Sequence, residues 1–329
     1  MNEPLISIII PCFNIEKYIP KTLESVFAQS YQNLEVIAVD DGSLDGTGAI
    51  LDRYAETEPR LLVLHQENQG VSAARIHGAN ASHGEYIGFV DGDDLIDADM
   101  YERLLRNAET YHADISHCGY RMIFPEKTEY YYNSGVLSEQ DRQSGLIDLL
   151  EGKIIEPALV NKLFARHLVL GLLDGGSLMD LSFRENEDLL MNYCLFSHAE
   201  KSVFEDFCPY QYVVRSDSSS HGGLKPHILN DPIRIGESLL TDTKAEPELY
   251  RLSGRYYITK LIKAATVSGK SISPDIQSIR KAARRKLRSF LGEYLSLKEE
   301  SRKRKLLAIC ATYCPSLYGF VHRLYRYGS

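Results

Sequence analysis

The sequence predicts an α/β fold: a mainly parallel sheet flanked by helices, followed by a C-terminal helical region. Three observations lead there. Strand-like runs alternate with helical spacings through about the first 120 residues, two of those runs end in clusters of aspartates, and beyond about Pro226 the apolar spacing is helical throughout. Strands that alternate with helices pair mainly in parallel, because each crossover helix carries the chain back to the same end of the sheet.

The elements follow in order. Residues 5–10 are an Ile-rich run, the pattern of a strand covered on both faces. Residues 15–29 place Tyr18, Ile19, Leu23, Val26 and Phe27 at helical spacing. A strand is expected over 34–39, a helix over 45–57, a strand over 61–64 and an Ala-rich helix over 70–82. Residues 86–90 form a fourth strand, residues 98–111 a helix with Met100, Leu104, Leu105 and Ala108 inward, and 115–120 one more strand. The middle is less regular: 124–138 reads as a hairpin or a loop, 144–152 and 187–196 as helices, and 202–207 as extended. A Ser/Gly-rich loop over 216–223 precedes the helical C-terminal region, where Pro315 is expected to kink or divide the last helix.

Composition narrows the class. The chain has 329 residues, 44% of them hydrophobic, and a formal net charge of −8. That length suits one large domain or two. No apolar run approaches the roughly 20 residues that span a bilayer, and the N-terminus lacks a signal-peptide pattern, so a cytoplasmic chain is expected. Six scattered cysteines without paired metal spacing read as reduced thiols. Charge is uneven: residues 279–329 carry 13 Lys+Arg against 3 Asp+Glu, or +10, leaving 24 against 42, or −18, for the rest. The acidic body argues against a general nucleic-acid partner.

The acid clusters carry the chemistry. Residues 34–39 run into Asp40-Asp41-Gly42-Ser43, and residues 86–90 into Asp91-Gly92-Asp93-Asp94. Ligands of open α/β sheets bind outside the carboxyl ends of the strands. Adjacent carboxylates repel, and a divalent cation relieves that repulsion. Hard carboxylate oxygens suit Mg2+ or Mn2+. Asp91-x-Asp93 is therefore the expected metal position beside a nucleotide ligand.

Four segments in order, 7–14 (SIIIPCFN), 39–43 (VDDGS), 68–75 (NQGVSAAR) and 89–94 (FVDGDD), resemble the successive motifs of family-2 glycosyltransferases. The likeness is strong over about 5–125 and weaker over about 160–220. It implies the GT-A fold, a Rossmann-like layered domain, and an inverting, metal-dependent transfer from a nucleotide sugar, most readily a UDP-hexose. By the same resemblance, Pro11, Phe13 and Glu16 line the nucleoside pocket, Asp41 accepts a bond from the base, and Arg75 faces the base or the diphosphate. Asp93 binds the ion directly, with Asp91 on the metal or ribose and Asp94 on sugar hydroxyls. Residues 183–190 (FRENEDLL) resemble the Glu-Asp motif at a helix start, which makes Asp188 the general base, with Glu187 as second choice. Residues 210–215 with Ser218, Ser219, Ser220 and His221 resemble a late aromatic-Arg-Ser segment. There Arg215 suits the diphosphate, and His221 is a candidate for the diphosphate or the metal. Asn161-Lys162-Leu163-Phe164 resembles a segment on the acceptor side, with a structural role equally open.

The expected organisation is a catalytic domain over 1–225, with about 1–125 for the nucleotide sugar and about 126–225 for the acceptor side, and a basic, amphipathic helical region over 226–329. The acceptor is expected to be a surface polysaccharide or lipid-linked saccharide, with a glycoprotein glycan as the alternative. The basic helices suit an anionic membrane surface, at the inner face of the plasma membrane, or a homodimer contact. Two rivals stay open: a sugar-nucleotide pyrophosphorylase, and a non-catalytic sugar-nucleotide-binding partner. The first should carry a Gly-rich loop and a Lys after the first strand, which Pro11-Cys12-Phe13-Asn14 does not supply; the second would be free to lose the base.

Overall fold

The computed structural model describes residues 3–131, 133–152, 154–172, 178, 180–215, 224–267, 273–314 and 318. They divide into two compact units, one of residues 1–182 and 187–221, the other of residues 183–186 and 222–329.

The first unit begins with the expected alternation: β1 (Ile6–Cys12), α1 (Ile19–Phe27), β2 (Leu34–Asp40), α2 (Thr47–Ala55), β3 (Leu61–His65), α3 (Val71–Ala81) and β4 (Tyr86–Phe89). These four strands pair in parallel in the order β3-β2-β1-β4. Ile6, Ile8, Ile9 and Ile10 are all fully buried, as a central strand covered on both faces requires. Helix α1 starts four residues later than its apolar spacing suggests. Residues 14–16 are taken up by hydrogen bonds to 43–47, and Pro20 then opens the helix, where its missing N–H costs nothing.

Beyond β4 the sheet becomes mixed. The chain runs through β5 (Leu95–Ile96), α4 (Met100–Tyr111), β6 (Ile115–Ile123), β7 (Thr128–Tyr131), β8 (Leu137–Asp141), α5 (Arg142–Glu151), β9 (Lys162–Ala165), α6 (Arg166–Gly171), α7 (Glu187–His198) and β10 (Lys201–Val213). Strand β9 lies between β4 and β6, antiparallel to both, and β10 runs parallel to β6. The segment 124–138 resolves into a β6–β7 hairpin, with Tyr120 stacked on Tyr131 at 4.5 Å, and β8 on the edge of β10. Tyr132 lies outside the described residues. Strand β10 has 13 residues, more than twice the extended run expected, with an irregularity between Glu205 and Tyr210 where Pro209 interrupts the ladder.

The second unit contains α8 (Pro226–Asp242), α9 (Pro247–Thr266), α10 (Pro274–Ser296) and α11 (Arg302–Tyr313). Its own core includes Leu229, Ile233, Ile258, Leu261, Leu287 and Phe290. Residues 183–186 join it through the Arg184 N–H, which donates to Asp231, and through Asn186, whose Oδ1 accepts from Tyr256 and Lys260. Pro315 lies outside the described residues.

Candidate active site

The parallel registers bring the carboxyl ends of β1, β2 and β4 to one edge: Cys12 pairs with Asp40, and Ile9 pairs with both Ile37 and Phe89. The loops after these strands carry Phe13, Asp41 and Asp91–Asp94. Gly92 is required between the acids, since a Cβ there would overlap Ile15 and press on the Pro11 carbonyl at 3.1 Å.

The residues expected at the nucleoside sit on this edge in different ways. Phe13 is 46% exposed, an open aromatic face. Glu16 accepts the Gly46 N–H at 2.7 Å and clasps the 43–47 loop. Asp41 is buried and accepts three bonds, from the Gln66 side chain (2.7 Å) and from the N–H groups of Gln69 and Gly70 (both 2.8 Å). A carboxylate has about four acceptor positions, so one is left over. Gly42 has φ +72°, a left-handed turn that shapes this corner.

Two arginines pair with the acids after β4. Arg75, on α3, is 3% exposed and forks: Nη1 donates to Asp188 Oδ1 at 2.5 Å and Nη2 to Asp91 Oδ1 at 2.9 Å. Burial works against its charge, but Asp188, Asp91 and Glu187 outweigh burial and raise its proton affinity. Arg215, just past β10, pairs with Asp93 and lies over the Tyr18 ring at 4.0 Å. Asp94 turns inward. Tyr210 Oη donates to its Oδ2 (2.7 Å) and the Val213 N–H to its Oδ1 (2.9 Å), while the Asp91 N–H donates to Tyr210 Oη (3.3 Å). Burial pushes Asp94 up to about 7, with Asp91 adding to the shift. A sugar hydroxyl would have to share an oxygen already held by Tyr210 or Val213.

Asp188 stands in the first turn of α7, with Glu187 beside it. Burial raises its pKa, and Asp91 adds to the rise; Arg75 and Lys162 oppose it. Asn192, one turn on, donates from Nδ2 to the Asp188 carbonyl at 3.1 Å and to the Pro157 carbonyl at 2.5 Å. Arg75 thus joins the acid loop after β4 to the start of α7, residues separated by about a hundred positions in sequence.

Among the described residues no group of three or more His, Cys, Asp or Glu is placed to hold a metal ion. The side chains of Asp91 and Asp93 keep 33% and 27% exposure. The buried Nε–H groups of Arg75 and Arg215 have no acceptor among the described residues. The exposed oxygens of these two carboxylates suit a hard divalent ion, which would meet them in competition with Arg75 and Arg215 and take its remaining ligands from a diphosphate and water. His221, with Ser218, Ser219 and Ser220, lies outside the described residues. Sequence reasoning did not foresee Tyr18, since an aromatic at a helix start reads as packing, nor Tyr210 as the strut under the acid loop.

These features are those of a nucleotide-sugar enzyme of the GT-A class. Residues 7–169 match the model of Glycosyl transferase family 2, and the chain is a glycosyltransferase of that family. That match sets aside the pyrophosphorylase alternative, and the non-catalytic one is decided by the transfer assay below. The chain is similar to the glycosyltransferase GlyA of Streptococcus pneumoniae (29% identity over 314 residues, 94% of this chain and 44% of GlyA). It is also similar to the putative teichuronic acid biosynthesis glycosyltransferase TuaG of Bacillus subtilis (35% over 127 residues, 38% of this chain and 50% of TuaG). It spans about half the length of these relatives or less. In fold it resembles S. aureus TarS residues 1–349 in complex with UDP-GlcNAc, at TM-score 0.73 and 20% identity, over 98% of this chain and 92% of that one.

Proposed function

We propose that the chain transfers a hexose from a uridine diphosphate sugar to a saccharide acceptor of a cell-surface polymer, in one displacement that inverts the anomeric configuration. The observation that carries this reading is the Arg75 fork, which holds Asp188 and Asp91 on one buried guanidinium and so sets a base beside the donor acids. Phe13 offers its exposed ring to the base, and Asp41 its remaining acceptor position to a base N–H. Arg215, whose side chain keeps some exposure, is the guanidinium that would meet the diphosphate, while Arg75 acts through Asp91 and Asp188. A divalent ion on Asp93 and Asp91 would supply charge neutralisation of the leaving diphosphate. Asp188 takes the proton of the acceptor hydroxyl, the acceptor oxygen bonds to the anomeric carbon, and the bond from that carbon to the diphosphate oxygen breaks.

The uridine donor is favoured by the UDP-GlcNAc complex of the similar TarS fold, and a surface-polymer acceptor by the naming of TuaG. The test is Asp188→Asn with a set of nucleotide sugars and saccharide acceptors. Transfer should fall about 10²–10⁴-fold, while donor binding, read by thermal shift with Mn2+, stays near that of the unchanged chain. Full-rate transfer would remove Asp188 from the chemistry.

The helical unit favours a further assignment, contact with an anionic membrane. Lys281, Arg284, Arg285 and Arg288 share one face of α10, and Leu306, Ile309 and Tyr313 expose apolar surface on α11.

A further inference from the structure

Lys162 opens β9 with no exposed surface. A buried ammonium is costly unless each of its three protons is accepted. Nζ donates to the carbonyls of Glu156 (2.8 Å) and Ala158 (2.5 Å) and to Asn161 Oδ1 (2.9 Å). Asn161 is fixed in turn to β6, where its side-chain amide donates to the Cys118 carbonyl and its own carbonyl accepts the Cys118 N–H at 3.0 Å. The ammonium therefore gathers the 156–161 turn around itself and against β6.

The same turn meets the helix that carries the base. The Pro157 carbonyl, between the two carbonyls held by Lys162, accepts Asn192 Nδ2, and that amide also reaches the Asp188 carbonyl. Packing alone does not call for a cation here, since an apolar side chain of similar volume is commonly as stable or more so at a buried charged position. None of the three oxygens that Nζ touches belongs to a carboxylate.

We propose that Lys162 is a positioning residue for sugar transfer: its ammonium pins the 156–161 turn against the first turn of α7 and adds a second buried positive charge, besides Arg75, to the field around Asp188. The proposal rests on the reading of Asp188 as the base. Four titratable groups lie within electrostatic reach of the ammonium: His117 and Cys118 from β6, Glu156 from the turn and Asp188 from α7. Burial pushes Lys162 down to about 7, while Cys118, Glu156 and Asp188 hold it up. The influence is mutual, for Lys162 is among the groups that lower Asp188.

The test is Lys162→Met in the full chain, with kcat and donor KM followed from about pH 5 to 9. Without the ammonium, Asp188 protonates more readily. The acid limb of kcat should move up by about one pH unit, so that kcat falls about tenfold on the acid side of that limb and little at pH 9, while donor KM stays within about threefold. A lower kcat or lower Tm with the acid limb unmoved is what a purely structural lysine gives, and it would overturn the proposal. Should Lys162→Met fail to fold, ε-13C-lysine NMR of the unchanged chain and of Asp188→Asn gives the answer: the Lys162 pKa should fall in the variant, and an unchanged value would overturn the proposal. The two readings separate cleanly. Asp188→Asn with full transfer sinks the base and this proposal together, whereas loss of transfer in Asp188→Asn with an unmoved limb in Lys162→Met sinks the lysine alone.

Discussion

Arg75 is 3% exposed and carries two carboxylates whose side chains are each about a third exposed. A buried guanidinium can be that stable only with both partners in place, so the loop after β4 and the start of α7 are held by one group. Tyr210 does similar work beneath: its hydroxyl donates to Asp94 and accepts the Asp91 N–H. Tyr210→Phe leaves the ring and removes both bonds. The expected outcome is a loss of about 1–3 kcal/mol in denaturant unfolding, with weakened UDP binding because the acid loop loses its strut; an unchanged midpoint and affinity would contradict this. At this scale the sequence could single out Asp91, Asp93 and Asp188 by residue type and position, and the structure pairs each of them with an arginine. The sequence was not legible for partners: nothing near Asp93 in the chain announces Arg215 over Tyr18, because that contact depends on where β10 ends.

Strands and helices place these groups with different precision. The parallel strands β1, β2 and β4 were readable because burial on both faces leaves continuous apolar runs, and the edge strand β3 because it is a short apolar run between two helical segments. Strand β9 was not, since its four residues are too few to show a period, and its place between β4 and β6 is set by long-range pairing. Helix α1 was readable in its centre and not at its start, where side-chain bonds to the 43–47 loop override apolar spacing. One contact between elements carries a pH signature. His65, at the end of β3, reaches Asp40 at the end of β2 (3.1 Å) and Asp52 on α2 (3.0 Å). The bond to Asp52, then that to Asp40, raises its pKa against the opposing effect of burial. A histidine whose folded pKa lies above its unfolded value binds its proton more tightly when folded. Its contribution is therefore complete below the unfolded value of about 6.5 and is lost as pH rises through the higher folded value. His65→Gln should lower Tm at pH 5.5 more than at pH 8.5; an equal loss at both would show that the charge adds nothing.

Over the whole molecule, the division of charge is as marked as the division into units. Residues 279–329 carry a net +10 on a chain whose total is −8. Among the described residues no helix is long and apolar enough to cross a membrane. The proposed membrane contact therefore rests on the α10 cations and the exposed side chains of α11. Each basic residue near an anionic surface is worth about 1 kcal/mol, so replacing Lys281, Arg284, Arg285 and Arg288 with Gln should reduce co-sedimentation with phosphatidylglycerol vesicles about a hundredfold or more. Equal binding of both forms, or none by the unchanged chain, would remove the membrane from the account. The central claim, that Asp93 and Asp91 meet a divalent ion and a nucleoside diphosphate, is tested most directly by calorimetric titration of UDP with and without Mn2+ into the unchanged chain and into Asp93→Ala. Tight binding that depends on Mn2+ in the first and loses that dependence in the second is the expected result. An identical Mn2+ dependence in both would contradict it.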